Sequence, residues 1–162
     1  ARLRDEGRAV RLRAVGPFET SEYEATIHAQ AARLNISDAI DWTGFTRNVN
    51  AEFAQMDAFV LPSLFGEGMP MVLLEAMACG VPVVASALAG MQEAVQEGVT
   101  GFLVKPGDPA LLAQALGRFV TGAVDWQVMS DAAVARHRDR FSDHAMCAAV
   151  AAVYRRLLES GA

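Results

Sequence analysis

The chain has 162 residues, 52% of them apolar and 20% charged, with a net charge of −5 at pH 7. That length supports one domain around one sizeable core, and that balance excludes an unfolded chain. The acidic charge argues against a nucleic-acid backbone as the main partner, and no apolar run approaches the roughly 18–20 residues of a bilayer span.

The elements follow in chain order. Residues 9–15 alternate Val10, Leu12 and Ala14 with Arg11 and Arg13, then meet Gly16 and Pro17, which predicts a strand ending in a turn. Residues 19–34 carry Tyr23, Ile27, Ala31 and Leu34 at helical spacing. A short strand at 39–43 closes on Gly44, a short helix follows at 48–56, and Phe59, Val60 and Leu61 form a buried strand stopped by Pro62. Residues 71–79 predict a helix, with Pro70 in its first turn and Gly80 just past its end. Buried strands are expected at 82–85 and 102–104, the latter closed by Pro106, Gly107 and Asp108. Three helices then follow near 109–120, 126–138 and 144–158. The last bears an apolar stripe of Met146, Val150, Val153, Tyr154, Leu157 and Leu158, which predicts packing on a neighbouring surface.

Strands alternating with helices predict an α/β fold: a Rossmann-like, mainly parallel sheet with helices on both faces. Ligands of such sheets sit beyond the carboxyl ends of the strands. The loops at 16–19, 44–48, 62–70 and 86–91 are therefore the ones to inspect. Cys79 and Cys147 are too few for a disulfide framework, and His28, His137 and His144 have no ligand spacing with them, so no metal site is expected. A reducing, cytoplasmic location is the simplest reading. The arginines gathered at 2–13 and 136–140 read as solvated helix faces.

Residues 62–71 link a buried strand to a helix with two glycines and a carboxylate. Free N–H groups at a helix start favour an anion such as a diphosphate, and Gly68 permits close approach of backbone and ligand. Glu67 is placed in the loop and Glu75, eight residues on, inside the helix, where it must be exposed or hydrogen-bonded. Ribose hydroxyls would be suitable donors. On these residues alone, the reading of Glu67 as an ordinary loop carboxylate and Glu75 as a solvated helix residue stays open beside it.

The run 59–85, FVLPSLFGEGMPMVLLEAMACGVPVVA, resembles glycosyltransferase family four. Shared are proline-serine, Glu-Gly, a second Glu eight after the first, Ala-Met-Ala and a glycine. Gly90 with Glu93, the run 98–104 and Pro106-Gly107-Asp108 follow in order; upstream, Val15-Gly16 and Thr43-Gly44-Phe45 also match, so the likeness spans roughly residues 9–116.

The resemblance implies a retaining enzyme of GT-B fold, in which two Rossmann-like domains face each other across a cleft. The chain would be its nucleotide-sugar-binding C-terminal domain, residues 1–162, truncated at its N-terminal edge and without the acceptor domain. The donor would be a UDP- or GDP-sugar, with no cofactor and no metal. Glu67 would be the catalytic-site carboxylate, contacting donor-sugar hydroxyls near the reacting centre. Gly68, Met69, Met71 and Val72 would offer backbone groups to sugar and diphosphate, Glu75 would hold the ribose hydroxyls, and Ser63 would assist at the phosphates. Gly44, Phe45, Thr46 and Arg47 would lie near the nucleobase. Pro70 stands where the family often has glycine and removes one possible N–H donor. Residues 1–8 would be the tail of a helix that follows the family's Arg…Lys-Gly diphosphate segment. The partners implied are the donor, a saccharide or lipid-linked saccharide acceptor, and the missing N-terminal domain, with the full enzyme cytoplasmic or membrane-peripheral. Two further readings are an epimerase of the same fold and a non-catalytic interaction module.

Overall fold

The computed structural model describes residues 1–65 and 68–160. In chain order they form α1 (Arg2–Asp5), β1 (Leu12–Val15), α2 (Ser21–Arg33), a 3-10 turn (Ser37–Ala39), β2 (Ile40–Gly44), α3 (Val49–Phe53), β3 (Phe59–Leu61), α4 (Met71–Ala78), β4 (Val83–Ser86), α5 (Ala89–Ala94), β5 (Gly101–Val104), α6 (Pro109–Val120), α7 (Trp126–Arg140) and α8 (Asp143–Ser160). Among the described residues no helix is long and apolar enough to cross a membrane.

Among the described residues every strand pairs in parallel, beside one isolated antiparallel bridge between Gly16 and Gly44. β1 pairs with β2, and β3, β4 and β5 form a second ladder with β4 in the middle. Strand β4 is buried along its whole length. Successive strand residues point to opposite faces, and its core contacts obey that rule. Val83 and Ala85 pack with Phe53 of α3, Leu73 and Met77 of α4, and Met91 and Ala94 of α5. Val84 packs the other way, with Phe102 and Val104 of β5, Ala115 of α6 and Met129 of α7. Two apolar clusters on the two faces make this the predicted Rossmann-like α/β layer. Gly101 is dictated by close approach: a Cβ there would lie 1.9 Å from the Val83 carbonyl oxygen.

Helix starts follow their side chains. Thr20, Asn48 and Asp125 each accept a hydrogen bond from the backbone N–H three residues on, and Asp108 accepts from Ala110 and Leu111 with Pro109 in the first turn. Helix α4 ends at Cys79 in a Schellman arrangement: Gly80 N–H donates to the Met77 carbonyl and Val81 N–H to that of Ala76.

Several expectations are corrected. The first strand starts at Leu12, because its partner β2 starts only at Ile40, after the 3-10 turn. Within it Arg13, not the apolar Leu12, is the more enclosed: Arg13 Nε donates to Glu52 Oε2 of α3 at 2.5 Å, while Leu12 is 50% exposed. Residues 54–56 lie outside α3, and 89–91, expected as loop, open α5. Among the described residues the apolar stripe of α8 finds no burial: α8 contacts α7, yet Met146, Val150, Val153, Tyr154, Leu157 and Leu158 are all exposed, and no described residue of α8 is buried. The terminal arginines are not merely solvated. Arg4 and Arg11 pair with Asp38 and Asp41, and Arg136 donates to backbone carbonyls.

Two outcomes follow. Gly80 and Gly98 both have positive φ, but a Cβ on Gly80 would meet Ser130 Oγ of α7 at 2.8 Å, whereas one on Gly98 would meet nothing. In urea unfolding, Gly98→Ala should cost about 1 kcal/mol of backbone strain and Gly80→Ala about 2–3 kcal/mol; equal losses would contradict the packing. The bond from Arg4 holds the Asp38 carboxyl below its usual pKa. A depressed carboxyl stabilises the fold above its unfolded pKa and loses that contribution as pH falls through its folded pKa. The stability gap between wild type and Arg4→Met should therefore be present at pH 7 and vanish under acid, as read by urea midpoints at each pH.

Candidate functional site

The carboxyl ends of β3, β4 and β5 lie side by side, since the strands are parallel and in register. From them emerge the loops leading to α4, α5 and α6. The first and third touch: a Cβ on Gly107 would meet Leu64 Cδ2 at 3.6 Å.

Helix α4 begins at this edge. Pro70 is its N-cap, with extended backbone (φ −66°, ψ 123°) and no side-chain cap, and its carbonyl accepts from Leu73 N–H at 3.1 Å. This corrects its placement in the first turn. The proline ring therefore removes no donor of the helix, and the opening N–H groups are those of Met71 and Val72. Leu73, Leu74, Ala76 and Met77 turn inward, leaving Met71, Glu75 and Cys79 on one exposed face. The Cα of Glu75 thus lies about 6 Å along the axis from that of Met71, at 1.5 Å per residue, and its side chain leans back toward the helix start. Burial, and then the negative charge of Glu75, push the Cys79 thiol above its ordinary pKa. That keeps it protonated and a poor nucleophile.

Of the other expected residues, Ser63 is half-buried just after β3, Gly68 is exposed, and Met69 and Val72 are half-buried against the α4 core. Glu67 lies outside the described residues. Gly68 is held from an unexpected side: a Cβ on Gly90 of α5 would lie 1.5 Å from the Gly68 carbonyl oxygen and 2.9 Å from Met69 N. Neither α5 nor this contact was legible beforehand; the lone Gly90 four residues beyond β4 was the available signal.

The second group, Gly44, Phe45, Thr46 and Arg47, follows β2. The Gly16 N–H donates to the Gly44 carbonyl at 2.8 Å, closing the ends of β1 and β2 together. Thr46 Oγ1 accepts from Asn48 N–H, while Phe45 is 73% exposed and Arg47 also faces solvent. Beside this loop is a hollow of about 520 Å³ lined by Gly16, Phe18, Glu19, Thr20, Trp42 and Gly44, among others. Its aromatic side is braced by rings: Trp42 lies 5.2 Å from Phe18 and 4.7 Å from His28, centroid to centroid. The loops at 16–19 and 44–48, singled out from the sequence, supply much of this lining; Trp42 was not foreseen, because Phe18 and Trp42 are brought together only by the β1–β2 pairing. Phe65 and Met71 are likewise exposed near the strand ends. Among the described residues, no three His, Cys, Asp or Glu side chains gather to hold a metal ion.

Residues 1–121 match the family described as Glycosyl transferases group 1. The chain is 38% identical over 129 residues to the D-inositol 3-phosphate glycosyltransferase of Streptomyces scabiei, covering 76% of this chain and 28% of that protein. It is 32% identical over 143 residues to the amylovoran biosynthesis glycosyltransferase AmsK of Erwinia amylovora, covering 84% and 35%. Among solved structures, Anabaena Alr3699/HepE in complex with UDP superposes with a TM-score of 0.78 at 28% identity over 93% of this chain and 40% of that one. A glycosyltransferase from Rickettsia africae gives 0.85 at 20% identity over 96% and 42%, a likeness of fold. The chain thus spans between a quarter and a half of the length of these proteins, and its fold is that of GT-B glycosyltransferases. It belongs to the group 1 glycosyl transferases.

Proposed function

We propose that this domain binds the nucleoside diphosphate sugar of a retaining glycosyltransferase of family four at the carboxyl ends of its strands. The observation that carries the reading is the start of α4: a helix opening without a side-chain cap, with an exposed carboxylate one turn inside it. The free N–H groups and helix dipole suit a diphosphate. Glu75, on the same face as Met71, suits a ribose diol, to which an ionised carboxylate can accept two hydrogen bonds. The hollow between Phe18, Trp42 and Gly44 offers aromatic ring surface to a base. HepE has been solved with UDP and with UDP-glucose, which supports this donor class.

In this reading Glu67 contacts sugar hydroxyls next to the bond that breaks, Gly68 and Met69 present backbone to the sugar, and Ser63 assists at the phosphates. The chemistry asks for positioning and for stabilisation of the leaving diphosphate as its negative charge grows. Helix-end amides do this without a metal, so transfer is expected to be metal-independent. Turnover we assign to a whole enzyme in which a second domain holds a saccharide or lipid-linked saccharide acceptor opposite this one. To the surface on which such a domain would close we assign Phe45, Phe65 and Met71, which are exposed.

Titration of the chain with UDP and GDP, followed by amide NMR, should move Met71, Val72, Glu75 and the residues around Gly44. Glu75→Ala should weaken binding about 10–100-fold, as expected for one or two hydrogen bonds to a charged group, with unchanged unfolding temperature. Shifts confined to other surfaces would reject the site. In the whole enzyme, Glu67→Ala should lower kcat by about a hundredfold or more; an undiminished rate would remove Glu67 from the reaction.

A further inference from the structure

Arg136 of α7 is the arginine whose partners differ from all others. Its Nε donates to the Ala94 carbonyl at 2.5 Å and its Nη2 to the Glu93 carbonyl at 2.6 Å, and its guanidinium lies over the Phe141 ring at 5.7 Å. Among the described residues no carboxylate pairs with it. Those carbonyls belong to the last turn of α5, where helix carbonyls have no partner within the helix. A cation that satisfies them also meets the negative end of the helix. Burial lowers the Arg136 pKa from its ordinary value, in keeping with a half-enclosed position.

Helix α5 has six residues, and Gly90, Met91 and Ala94 are buried. Met91 and Ala94 sit in the cluster with Leu73 and Met77 of α4 and Ala133 of α7. Gly90 faces the loop between β3 and α4 so closely that a methyl group there would overlap the Gly68 carbonyl. One end of α5 is thus pinned by Arg136, while the other presses on the peptide between Gly68 and Met69, next in sequence to Glu67. Bare capping of α5 would need only the Arg136 bonds. The backbone contact at Gly90 connects them to the donor loop.

We infer that Arg136 is a positioning residue for the donor site: by fixing α5 it holds Gly90 against Gly68 and so sets the loop on which the proposed donor contacts depend. The inference rests on the donor reading given above for the site's function, but the mechanical link can be tested apart from it. Arg138, on the same helix and paired only with its neighbour Asp139, is the control.

The test uses this chain with UDP as the probe, at a temperature where each variant is fully folded. Arg136→Met should shift the amides of Gly68 and Met69 without ligand and weaken UDP binding about tenfold or more, the order of effect a small misplacement produces. Arg138→Met should do neither, and Arg136→Lys, which keeps a donor and the charge, should recover part of the affinity. Gly90→Ala, which must displace Gly68, should give the same pair of signatures. If Arg136→Met does not fold, the comparison of Arg136→Lys with Gly90→Ala decides: shifts of the same two amides in the same direction uphold the link, and their absence overturns it. Lowered melting temperature with unmoved Gly68 and Met69 amides and unchanged UDP affinity would make Arg136 a structural cap only. Should the wild-type chain bind no UDP, the donor reading fails, and the amide shifts alone decide the link.

Discussion

Water reaches neither face of β4, and this constraint orders the rest of the molecule. A four-residue strand buried from Val83 to Ser86 must satisfy its backbone on both edges and its side chains on both faces. Parallel neighbours β3 and β5 do the first, and the two apolar clusters do the second. Burying a side chain such as Leu73, Met77 or Met91 stabilises by about 1.5–3 kcal/mol, so each cluster outweighs any single surface ion pair, worth roughly 0–1 kcal/mol. Because the strands run the same way, their carboxyl ends, and therefore the starts of α4 and α5, come to one edge. The candidate site is a consequence of that arrangement.

The β1–β2 half is secured differently. Its ladder has no run of buried apolar side chains, and Leu12 and Val15 remain largely exposed. It connects to α3 through Arg13 and Glu52, the most enclosed of the ion pairs, while Phe53, next to Glu52, enters the main core. The pairs Arg4–Asp38 and Arg11–Asp41 lie at the surface, where salt screens them. The half that would receive a base thus joins the core through a partly buried charge pair and the packing of α1 on α6, whereas the half that would receive a diphosphate rests on close-packed apolar layers. The open stripe of α8, from Met146 to Leu158, belongs to neither layer.

Much of this was legible from local chemistry. The strand at 59–61 and the helices at 71–79 and 109–120 are bounded by Pro62, Gly80 and Asp108-Pro109, and each such residue acts through its own backbone or cap. What could not be read needed a third dimension. Helix α5 is short and has no side-chain cap, so nothing in its sequence marks its start. The Arg13–Glu52 and Arg136–Ala94 contacts join residues 39 and 42 apart, and Phe18 meets Trp42 only through strand pairing. Gly90 and Gly101 entered only as members of the family-like motifs, yet each is required because another backbone passes too close for a side chain. The strand start at residue 9 failed because a strand needs a partner, and β2 begins only at Ile40.

The central claim is that a diphosphate rests on the opening turn of α4 while Glu75 holds the sugar of the nucleoside. A crystal structure of the chain soaked with UDP tests it most directly. The account predicts phosphate oxygens within hydrogen-bonding distance of the Met71 and Val72 amides, ribose hydroxyls at the Glu75 carboxylate and the base beside Gly44. A nucleotide bound on any other surface, or one in this hollow with Glu75 turned away to solvent, would contradict it.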